Sequence, residues 1–235
     1  MRPDEISVLF DLDGTLIDSS RDLTAAANVM LSTMGLQTVT LDQVETWIGH
    51  GLSHLIHRCL TREFHGVASN ESFAEGIGLF RRAYLDTGFI RTRLLSGSET
   101  LLSALRSEGF MLGLVTNKDT IPTHAVLNTL ELTAFFDVLV CGDSLPVKKP
   151  HPEPLRHAVR ILDSRAAWMV GDSETDARSS HAAGIQFIAV QGGYGHSGRL
   201  EDLPGPPALV IESLDSLLQI GGEPVEMLSN PRALS

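Results

Sequence analysis

Two carboxylates and a hydroxyl follow directly on a short apolar segment near the start of the chain. Asp11, Asp13 and Thr15 come after Ile6–Phe10, which has the composition of a buried parallel strand. The two carboxylates point to the same side of an extended chain and repel each other unless a cation or a shared proton intervenes. Because Mg²⁺ prefers oxygen ligands, the pair predicts a magnesium site. The alternative is an exposed turn with ordinary surface acids.

Two further apolar runs end in polar residues of the same kind. The carboxyl ends of parallel strands meet at one edge of a sheet, so the residues after these runs are expected to lie close to Asp11. The run 110–115 precedes a threonine, an asparagine and a lysine, and the run 166–170 precedes two aspartates. These residues are Thr116, Asn117, Lys118, Asp172 and Asp176.

The distribution of lysine indicates the same edge. The chain has three lysines, Lys118, Lys148 and Lys149, against fifteen arginines. Lysines that only solvate the surface are scattered over helix faces, whereas these three all fall within the polar segments. Pro150 predicts that the residue before it, Lys149, lies in an extended segment.

In this order, the segments resemble the haloacid dehalogenase superfamily of phosphatases, over a span from Asp11 to Asp176. They are most similar to bacterial phosphoglycolate phosphatases. The stretches that carry this closer resemblance are 10–19, 46–51, 115–118, 148–152 and 193–195.

The resemblance implies catalytic roles for four residues. Asp11 is expected to be the nucleophile that forms an aspartyl-phosphate, and Asp13 the general acid that later acts as base. Haloacid dehalogenases proper lack this second aspartate, so its presence favours phosphate chemistry. Thr116 is expected to bind a phosphate oxygen. Lys149, rather than Lys148, is expected to pair with Asp11 and the phosphate.

A Mg²⁺ site is implied at the same place. Asp11, the backbone carbonyl of Asp13 and Asp172 are expected to hold the ion, and Asp176 to act on a metal-bound water or in the outer shell. Related phosphatases often have asparagine just before the last aspartate, where this chain has Thr175. The hydrogen bonding around Asp176 is therefore the point at which the chain departs from the pattern.

Substrate binding is implied partly by the resemblance, which makes the turn at Gly49, His50 and Gly51 a cap loop that reaches the substrate. Phosphoglycolate carries a carboxylate besides its phosphate, so a donor in the cap must meet it. The candidates for this donor are His50, the N–H groups of the two glycines, and Arg93. The alternative is that the segment is an ordinary cap turn with flexible glycines. The other predicted substrate-binding residues are Thr15, Asn117 and Lys118.

Three other features have simpler interpretations. His50, His54 and His57 share a possible helical face, but no cysteine or carboxylate completes a zinc site in sequence. The glycine-rich turn at 192–195 lacks the lysine and the helix of a phosphate-binding P-loop, which indicates a turn near the rim of the site. Trp47 and Trp168 are expected to be packing residues.

The elements needed to position these residues predict an α/β fold, a doubly wound parallel sheet of the Rossmann-like type with an inserted helical cap domain. No convincing strand is predicted between 18 and 90, where apolar spacing indicates four helices. The predicted core domain is 1–17 with 91–220, the predicted cap is 18–90, and 221–235 is predicted to be a loosely held tail.

Composition excludes several classes of partner. The chain has a net charge of −11, which argues against a nucleic-acid partner, because such binding normally needs a basic stripe. No signal peptide core and no apolar run long enough for a bilayer are present, so we expect a cytoplasmic monomer or homodimer without a membrane partner. Two cysteines do not make a disulfide framework.

The leading hypothesis is a Mg²⁺-dependent phosphatase that hydrolyses a small phosphate monoester, with 2-phosphoglycolate as the best candidate. Phosphatases for sugar phosphates, nucleotides or pyrophosphate, and an isomerase resembling β-phosphoglucomutase, are the alternatives. A phosphonate hydrolase of this superfamily needs a lysine in the cap, and no lysine precedes Lys118. A non-catalytic scaffold is disfavoured because all the acids are present.

Overall fold

The computed structural model describes residues 1–194, 205–219 and 228. Its main sheet has six parallel strands in the order β5-β4-β1-β6-β7-β8, and a separate antiparallel pair is formed by β2 and β3. The strands are β1 Ile6–Phe10, β2 Ile17–Asp18, β3 Arg93–Leu94, β4 Met111–Val115, β5 Val138–Val140, β6 Ala166–Gly171, β7 Gln186–Val190 and β8 Leu209–Ile211.

The strand order decides where the chemistry lies. β1 is buried along its whole length and lies between β4 and β6, with Phe10 paired to both Leu114 and Val170. The chain reverses its direction of winding at this point, and such a switch opens a crevice beyond the carboxyl ends of the strands. The predicted polar segments after β1, β4 and β6 therefore meet in one place.

Helices cover both faces of the sheet, as predicted for a doubly wound fold. Four helices precede β3 in the chain and the others follow it. They are α1 Ser20–Thr33, α2 Leu41–Glu45, α3 Leu52–Thr61, α4 Asn70–Asp86, α5 Ser98–Ser107, α6 Thr120–Thr129, α7 Glu153–Leu162, α8 Glu174–Ala183 and α9 Leu214–Gln219.

The first four helices pack mainly on one another, with α4 against both α1 and α3. The predicted capping box at the start of α2 is confirmed. Thr40 Oγ1 accepts a hydrogen bond from the Gln43 N–H at 3.2 Å, and Gln43 Oε1 accepts one from the Thr40 N–H at 3.0 Å. We propose on this packing that 18–90 form the cap and that 1–17 and 91–220 form the core.

The sequence analysis missed the β2–β3 ribbon, through which the chain enters and leaves the cap. Two residues per strand are too few to show an alternating pattern. The ribbon is supported by Asp22, a buried residue of α1, whose Oδ2 accepts from the Arg91 N–H at 3.0 Å and from Thr92 Oγ1 at 2.8 Å. Asp18 Oδ1 accepts a hydrogen bond from the hydroxyl of Tyr194 in the core.

Both tryptophans are buried, as predicted. The indole N–H of Trp168 donates to the carbonyl of Leu228 at 3.0 Å, and the Leu228 side chain is buried. Apart from Leu228, the predicted tail lies outside the described residues, as does Gly195 of the glycine-rich turn. In the ranges that the structure covers, no helix is long and apolar enough to cross a bilayer.

Two glycines lie inside α4 and differ in their surroundings. A Cβ on Gly78 would meet nothing within 4 Å, whereas one on Gly76 would lie 3.3–3.4 Å from Met30, Ile56 and Leu60. Glycine in a helix interior costs about 1 kcal/mol relative to alanine. We expect Gly78→Ala to raise the free energy of unfolding by about 0.5–1 kcal/mol. The melting temperature should rise with it, by about 2–4 °C for each kcal/mol.

Gly76→Ala is the matched control, measured by the same thermal and urea unfolding. Its helix propensity gain is identical, but the close contacts between α4, α1 and α3 oppose it. We expect Gly76→Ala to be less stable than Gly78→Ala. Equal stabilisation by both would show that α4 does not pack closely at Gly76.

Candidate active site

Three carboxylates meet where β1 and β6 end. Oxygens of Asp11, Asp172 and Asp176 lie within 4.8 Å of one another, and all three residues are buried. Asp11 follows β1, Asp172 follows β6, and Asp176 lies in the first turn of α8. The parallel pairing of β1 with β6 thus joins residues that are far apart in the sequence.

Lys149 is the cation of this cluster. Its Nζ lies 2.6 Å from Asp176 Oδ1 and 3.0 Å from Asp11 Oδ1, and the residue is 3% exposed. Burial opposes its charge, but the two carboxylates raise the pKa of Lys149. Lys148 is only partly buried, with its Nζ beside Gly51. One lysine against three carboxylates leaves a buried excess of negative charge.

Lys149 lies in a tight turn that follows an irregular segment. The Lys149–Pro150 peptide bond is cis, and the His151 N–H donates to the carbonyl of Lys148 at 2.9 Å. This hydrogen bond closes the turn over residues 148–151. The turn leads directly into α7.

The cluster fits a divalent cation. Burial is the main cause that raises the pKa of Asp11 to about 7. Lys149 opposes this rise, and Asp176 adds to it. Burial, then Asp176 and Asp11, also raises the pKa of Asp172. Asp11 Oδ1 receives no hydrogen bond within the described residues. A buried, oxygen-rich set of this kind suits Mg²⁺, whose positive charge would offset the repulsion among the carboxylates.

Asp172 is held from three sides. Thr15 Oγ1 donates to its Oδ1 at 2.6 Å. A Cβ on Gly14 would lie 2.4 Å from its Oδ2, and a Cβ on Gly193 would lie 2.3 Å from the same atom. Both glycines are therefore required by space. Thr15, predicted to bind substrate, is fully buried, and its hydroxyl donates to Asp172.

Asp176 is fixed by hydrogen bonds that do not involve Thr175. Its Oδ2 accepts from the Ser173 N–H at 3.2 Å and from Ser173 Oγ at 2.6 Å, while Oδ1 accepts from Lys149. The Asp176 N–H in turn meets Ser173 Oγ at 3.2 Å, which completes a capping box at the start of α8. The departure at Thr175 therefore leaves Asp176 held by other residues.

Asp13 faces a different cation. Lys118 Nζ lies 2.8 Å and 2.9 Å from the two Asp13 oxygens and 2.8 Å from the hydroxyl of Tyr84 in α4. Ser19 Oγ also donates to Asp13 Oδ1 at 2.5 Å. Although burial opposes the charge, Asp13 and Tyr84 raise the pKa of Lys118. Sequence reasoning missed both Ser19 and Tyr84.

Thr116 and Asn117 continue the site after β4. Both are buried, and Thr116 Oγ1 accepts from the Lys118 N–H at 3.2 Å. Asn117 Nδ2 donates to the carbonyl of Lys149 at 3.0 Å and, more weakly, to that of Gly49 at 3.4 Å. Asn117 thus joins the lysine turn to the cap loop, and its Oδ1 receives no hydrogen bond from the described residues.

A cavity of about 300 Å³ lies between cap and core, with Asp11, Asp13 and Lys118 in its polar wall. Gly49, Gly51 and Arg81 contribute from the cap side. Apolar side chains supply much of the remaining wall, including Leu23, Leu52, Leu55, Phe80 and Ile121.

The side chains of His50 and Arg93 are not part of this wall in the described structure. The His50 ring packs against Phe64 with centroids 5.8 Å apart, and burial with the nearby Arg58 lowers the pKa of His50. Arg93 lies in β3 and is exposed. The cap loop therefore presents its glycine backbone, and not the imidazole, to the cavity.

The three histidines proposed for zinc do not converge. His57 Nδ1 accepts from the Ala68 N–H at 3.1 Å and stacks on Phe73, while His54 Nδ1 contacts the carbonyl of His50. Among the described residues, the aspartate cluster is the one group with the arrangement of a metal site.

Comparison with known proteins gives consistent matches. Residues 8–190 match the profile of the haloacid dehalogenase-like hydrolase family. The chain is 41% identical over 216 residues to a phosphoglycolate phosphatase of Neisseria gonorrhoeae, covering 91% of this chain and 92% of that protein. It is 40% identical over 190 residues to one of Nitrosospira multiformis, covering 80% and 84%.

A solved structure shares the fold over most of its length. The crystal structure of a predicted phosphoglycolate phosphatase from Haemophilus somnus superposes with a TM-score of 0.83 and 28% identity. The match covers 91% of this chain and 96% of that one.

The Thr15 hydroxyl generates a prediction about metal affinity. Thr15→Val keeps the shape of the side chain but leaves Asp172 Oδ1 without its donor. Loss of such a supporting hydrogen bond typically lowers metal affinity about 10–100-fold, and we expect a decrease in that range for Mg²⁺ measured by titration calorimetry. Thr15→Ser, which keeps the hydroxyl, is the control and should retain affinity within about threefold. Equal affinities for the two variants would contradict the assignment.

Proposed function

The chain belongs to the haloacid dehalogenase-like hydrolase family, and we propose that it is a Mg²⁺-dependent phosphatase whose substrate is 2-phosphoglycolate. It is a phosphoric monoester hydrolase, as its relatives are. The names of those relatives support the choice of phosphoglycolate as the small phosphate ester. The products would be glycolate and inorganic phosphate.

One observation carries the mechanism: Asp11 lies in a buried carboxylate cluster with Lys149, while Asp13 lies on the same cavity with a lysine of its own. Two carboxylates in different surroundings suit two roles. Asp11 is oriented by Lys149 and is buried at the wall of the cavity, which suits a nucleophile. Asp13 is only partly buried, which suits proton exchange with substrate and water.

In the first half-reaction, a carboxylate oxygen of Asp11 bonds to phosphorus as the bond between phosphorus and the ester oxygen breaks. For this step Asp13 must carry a proton, which it gives to the departing alkoxide, so that the product leaves as glycolate. Thr116 and Lys149 stabilise the charge on the phosphoryl oxygens. Mg²⁺, when held by Asp11, Asp172 and the Asp13 carbonyl with Asp176 nearby, supplies positive charge that offsets repulsion between Asp11 and the phosphate.

In the second half-reaction, water attacks the phosphorus of the aspartyl-phosphate. Asp13 takes a proton from that water, and the bond between phosphorus and Asp11 breaks to release phosphate. Lys149 then pairs with the regenerated Asp11 carboxylate. The enzyme returns to its starting state with no other reactant consumed.

The carboxylate of phosphoglycolate needs a donor, and Lys118, predicted only as a substrate-binding residue, has no N–H left to act as that donor. All three N–H donors of its ammonium group face Asp13 or Tyr84. We assign the carboxylate instead to Arg81 and to the backbone of Gly49 and Gly51, which line the cavity from the cap. Arg81 is ion-paired with Asp119 at 2.8 Å but is more than half exposed, so it can reorient.

The covalent step can be tested by trapping the intermediate. In Asp13→Asn the base for the second half-reaction is lost, so a substrate whose leaving group needs no proton should phosphorylate the enzyme and stop. With p-nitrophenyl phosphate and Mg²⁺, we expect intact-protein mass spectrometry after acid quenching to find one added phosphoryl group, located on Asp11 by peptide mapping.

Asp11→Asn combined with Asp13→Asn is the control and should show no adduct. Steady-state turnover of Asp11→Asn alone should fall at least about a thousandfold, or about 4 kcal/mol in activation free energy. Wild-type turnover by Asp11→Asn, or an adduct on another residue, would refute the nucleophile assignment.

Substrate choice is tested by phosphate release from 2-phosphoglycolate, hexose phosphates, nucleoside monophosphates and pyrophosphate at matched concentrations, with Mg²⁺ and with EDTA. We expect activity to depend on Mg²⁺ and kcat/KM to favour phosphoglycolate more than about tenfold, equivalent to about 1.4 kcal/mol. A flat profile would indicate a broad phosphatase. Isomerised hexose phosphate without phosphate release would indicate a mutase.

A further inference from the structure

Among the described residues of helices α1 to α4, Tyr84 is the one whose side chain is hydrogen-bonded to Lys118, the lysine that pairs with Asp13. It lies in α4, is 3% exposed, and its hydroxyl has Lys118 as its only hydrogen-bond partner among those residues. Lys118 Nζ also lies 4.8 Å from the centroid of the Tyr84 ring, within cation–π range. The ring and the hydroxyl of Tyr84 therefore both fix the position of one ammonium group.

That ammonium group fixes Asp13 in turn. Both Asp13 oxygens lie within 2.9 Å of Lys118 Nζ, while Ser19 holds one of them from the other side. A general acid must approach the leaving oxygen within hydrogen-bond distance, so a carboxylate that can rotate loses efficiency. Burial raises the pKa of Tyr84 to about 12, which keeps its hydroxyl neutral beside the lysine.

Two other polar contacts between the cap helices or the cap loop and the core do not reach Asp13. Arg81 of α4 pairs with Asp119. Asn117 donates to the Gly49 carbonyl at 3.4 Å. Ser19, which precedes α1, touches Asp13 directly. From the helices of the cap, the connection to the acid passes from Tyr84 to Lys118 and from Lys118 to Asp13.

We propose that Tyr84 is a positioning residue for the general acid: through Lys118 it places the Asp13 carboxylate when the cap lies against the core. The inference rests on the proposed phosphatase mechanism, in which Asp13 protonates the leaving group. It adds that a residue of the cap, which does not itself touch the reacting atoms, controls that step.

The test compares two leaving groups of similar size. Glycolate leaves 2-phosphoglycolate as an alkoxide and needs a proton, whereas acetate leaves acetyl phosphate without one. The value of kcat/KM reports steps up to departure of the leaving group, so the later role of Asp13 as base does not enter. p-Nitrophenyl phosphate, whose ring the 300 Å³ cavity can accommodate, is a second substrate with a good leaving group.

Tyr84→Phe removes the hydroxyl and keeps the ring. We expect kcat/KM for 2-phosphoglycolate to fall about tenfold or more, and kcat/KM for acetyl phosphate and p-nitrophenyl phosphate to fall less than about threefold. Ser19→Ala, which removes the other hydrogen bond to Asp13, is the positive control and should show the same selectivity.

A further variant separates this effect from a general loss of packing. Tyr194→Phe removes a buried tyrosine hydroxyl that is hydrogen-bonded to Asp18, and Tyr194 does not contact Asp13. Any loss in this variant should be equal for substrates with good and poor leaving groups. Thermal unfolding of all variants checks that each is folded.

Equal losses for both classes of substrate in Tyr84→Phe, or no loss for either, would overturn the inference. If Tyr84→Phe does not fold, Tyr84→His, which keeps a ring and a polar group near Lys118, is compared in the same way. Failure of the phosphatase mechanism itself has a different signature, because the wild-type enzyme would then release no phosphate from any of these substrates.

Discussion

Mutual repulsion among three buried carboxylates is the constraint on which the rest of the site depends. Asp11, Asp172 and Asp176 lie within 4.8 Å of one another, and the lysine beside them, Lys149, pairs with Asp11 and Asp176. Repulsion of this size in a buried place is tolerated only if each carboxylate is held rigidly and a cation can bind among them. Glycines serve the first need, because a Cβ at Gly14, Gly171 or Gly193 would collide with one of the carboxylates. The turn at Lys149 and the capping box of α8 complete the support, so backbone geometry, and not side-chain number alone, makes the cluster possible.

Because the carboxylate cluster is held rigidly in the core, we assign substrate recognition to the cap. The cap supplies mostly apolar wall around the cavity, and its loop presents glycine backbone at Gly49 and Gly51. The ribbon through which the chain enters and leaves the cap is itself hydrogen-bonded, through Asp22 to residues 91–92 and through Asp18 to Tyr194. These hydrogen bonds fix the two-strand connection to α1 on one side and to Tyr194 on the other.

The fold and the carboxylates were predictable from sequence because each signal is local. Apolar runs mark β1, β4 and β6, polar residues follow them, and helical spacing indicates the helices of the cap. What could not be predicted depends on contacts between distant residues. Thr15 has the same local signal whether it faces substrate or Asp172, 157 residues away. Nothing in the sequence near Tyr84 indicates that its hydrogen-bond partner is Lys118. Without this contact, the sequence cannot show how many N–H donors Lys118 has left for a substrate. Gly193 lies in a turn that the sequence identified, but its need for a glycine arises from Asp172 across the site.

The two aspartates at the end of β1 show how one short motif acquires two functions. Asp11 and Asp13 line the same cavity and are separated by one residue. Both are aspartates, so any difference between them must come from their surroundings. Their lysines differ: Lys149 is shared between Asp11 and Asp176, whereas Lys118 belongs to Asp13 and to a tyrosine of the cap. In the proposed mechanism, Asp11 is held by the core alone, whereas Asp13 is held partly by the cap through Tyr84 and Lys118. If the second acid depends on the cap and the first does not, bond formation at phosphorus and protonation of the leaving oxygen coincide only over a substrate that the cap has enclosed, and water that enters an open site meets an incomplete catalyst.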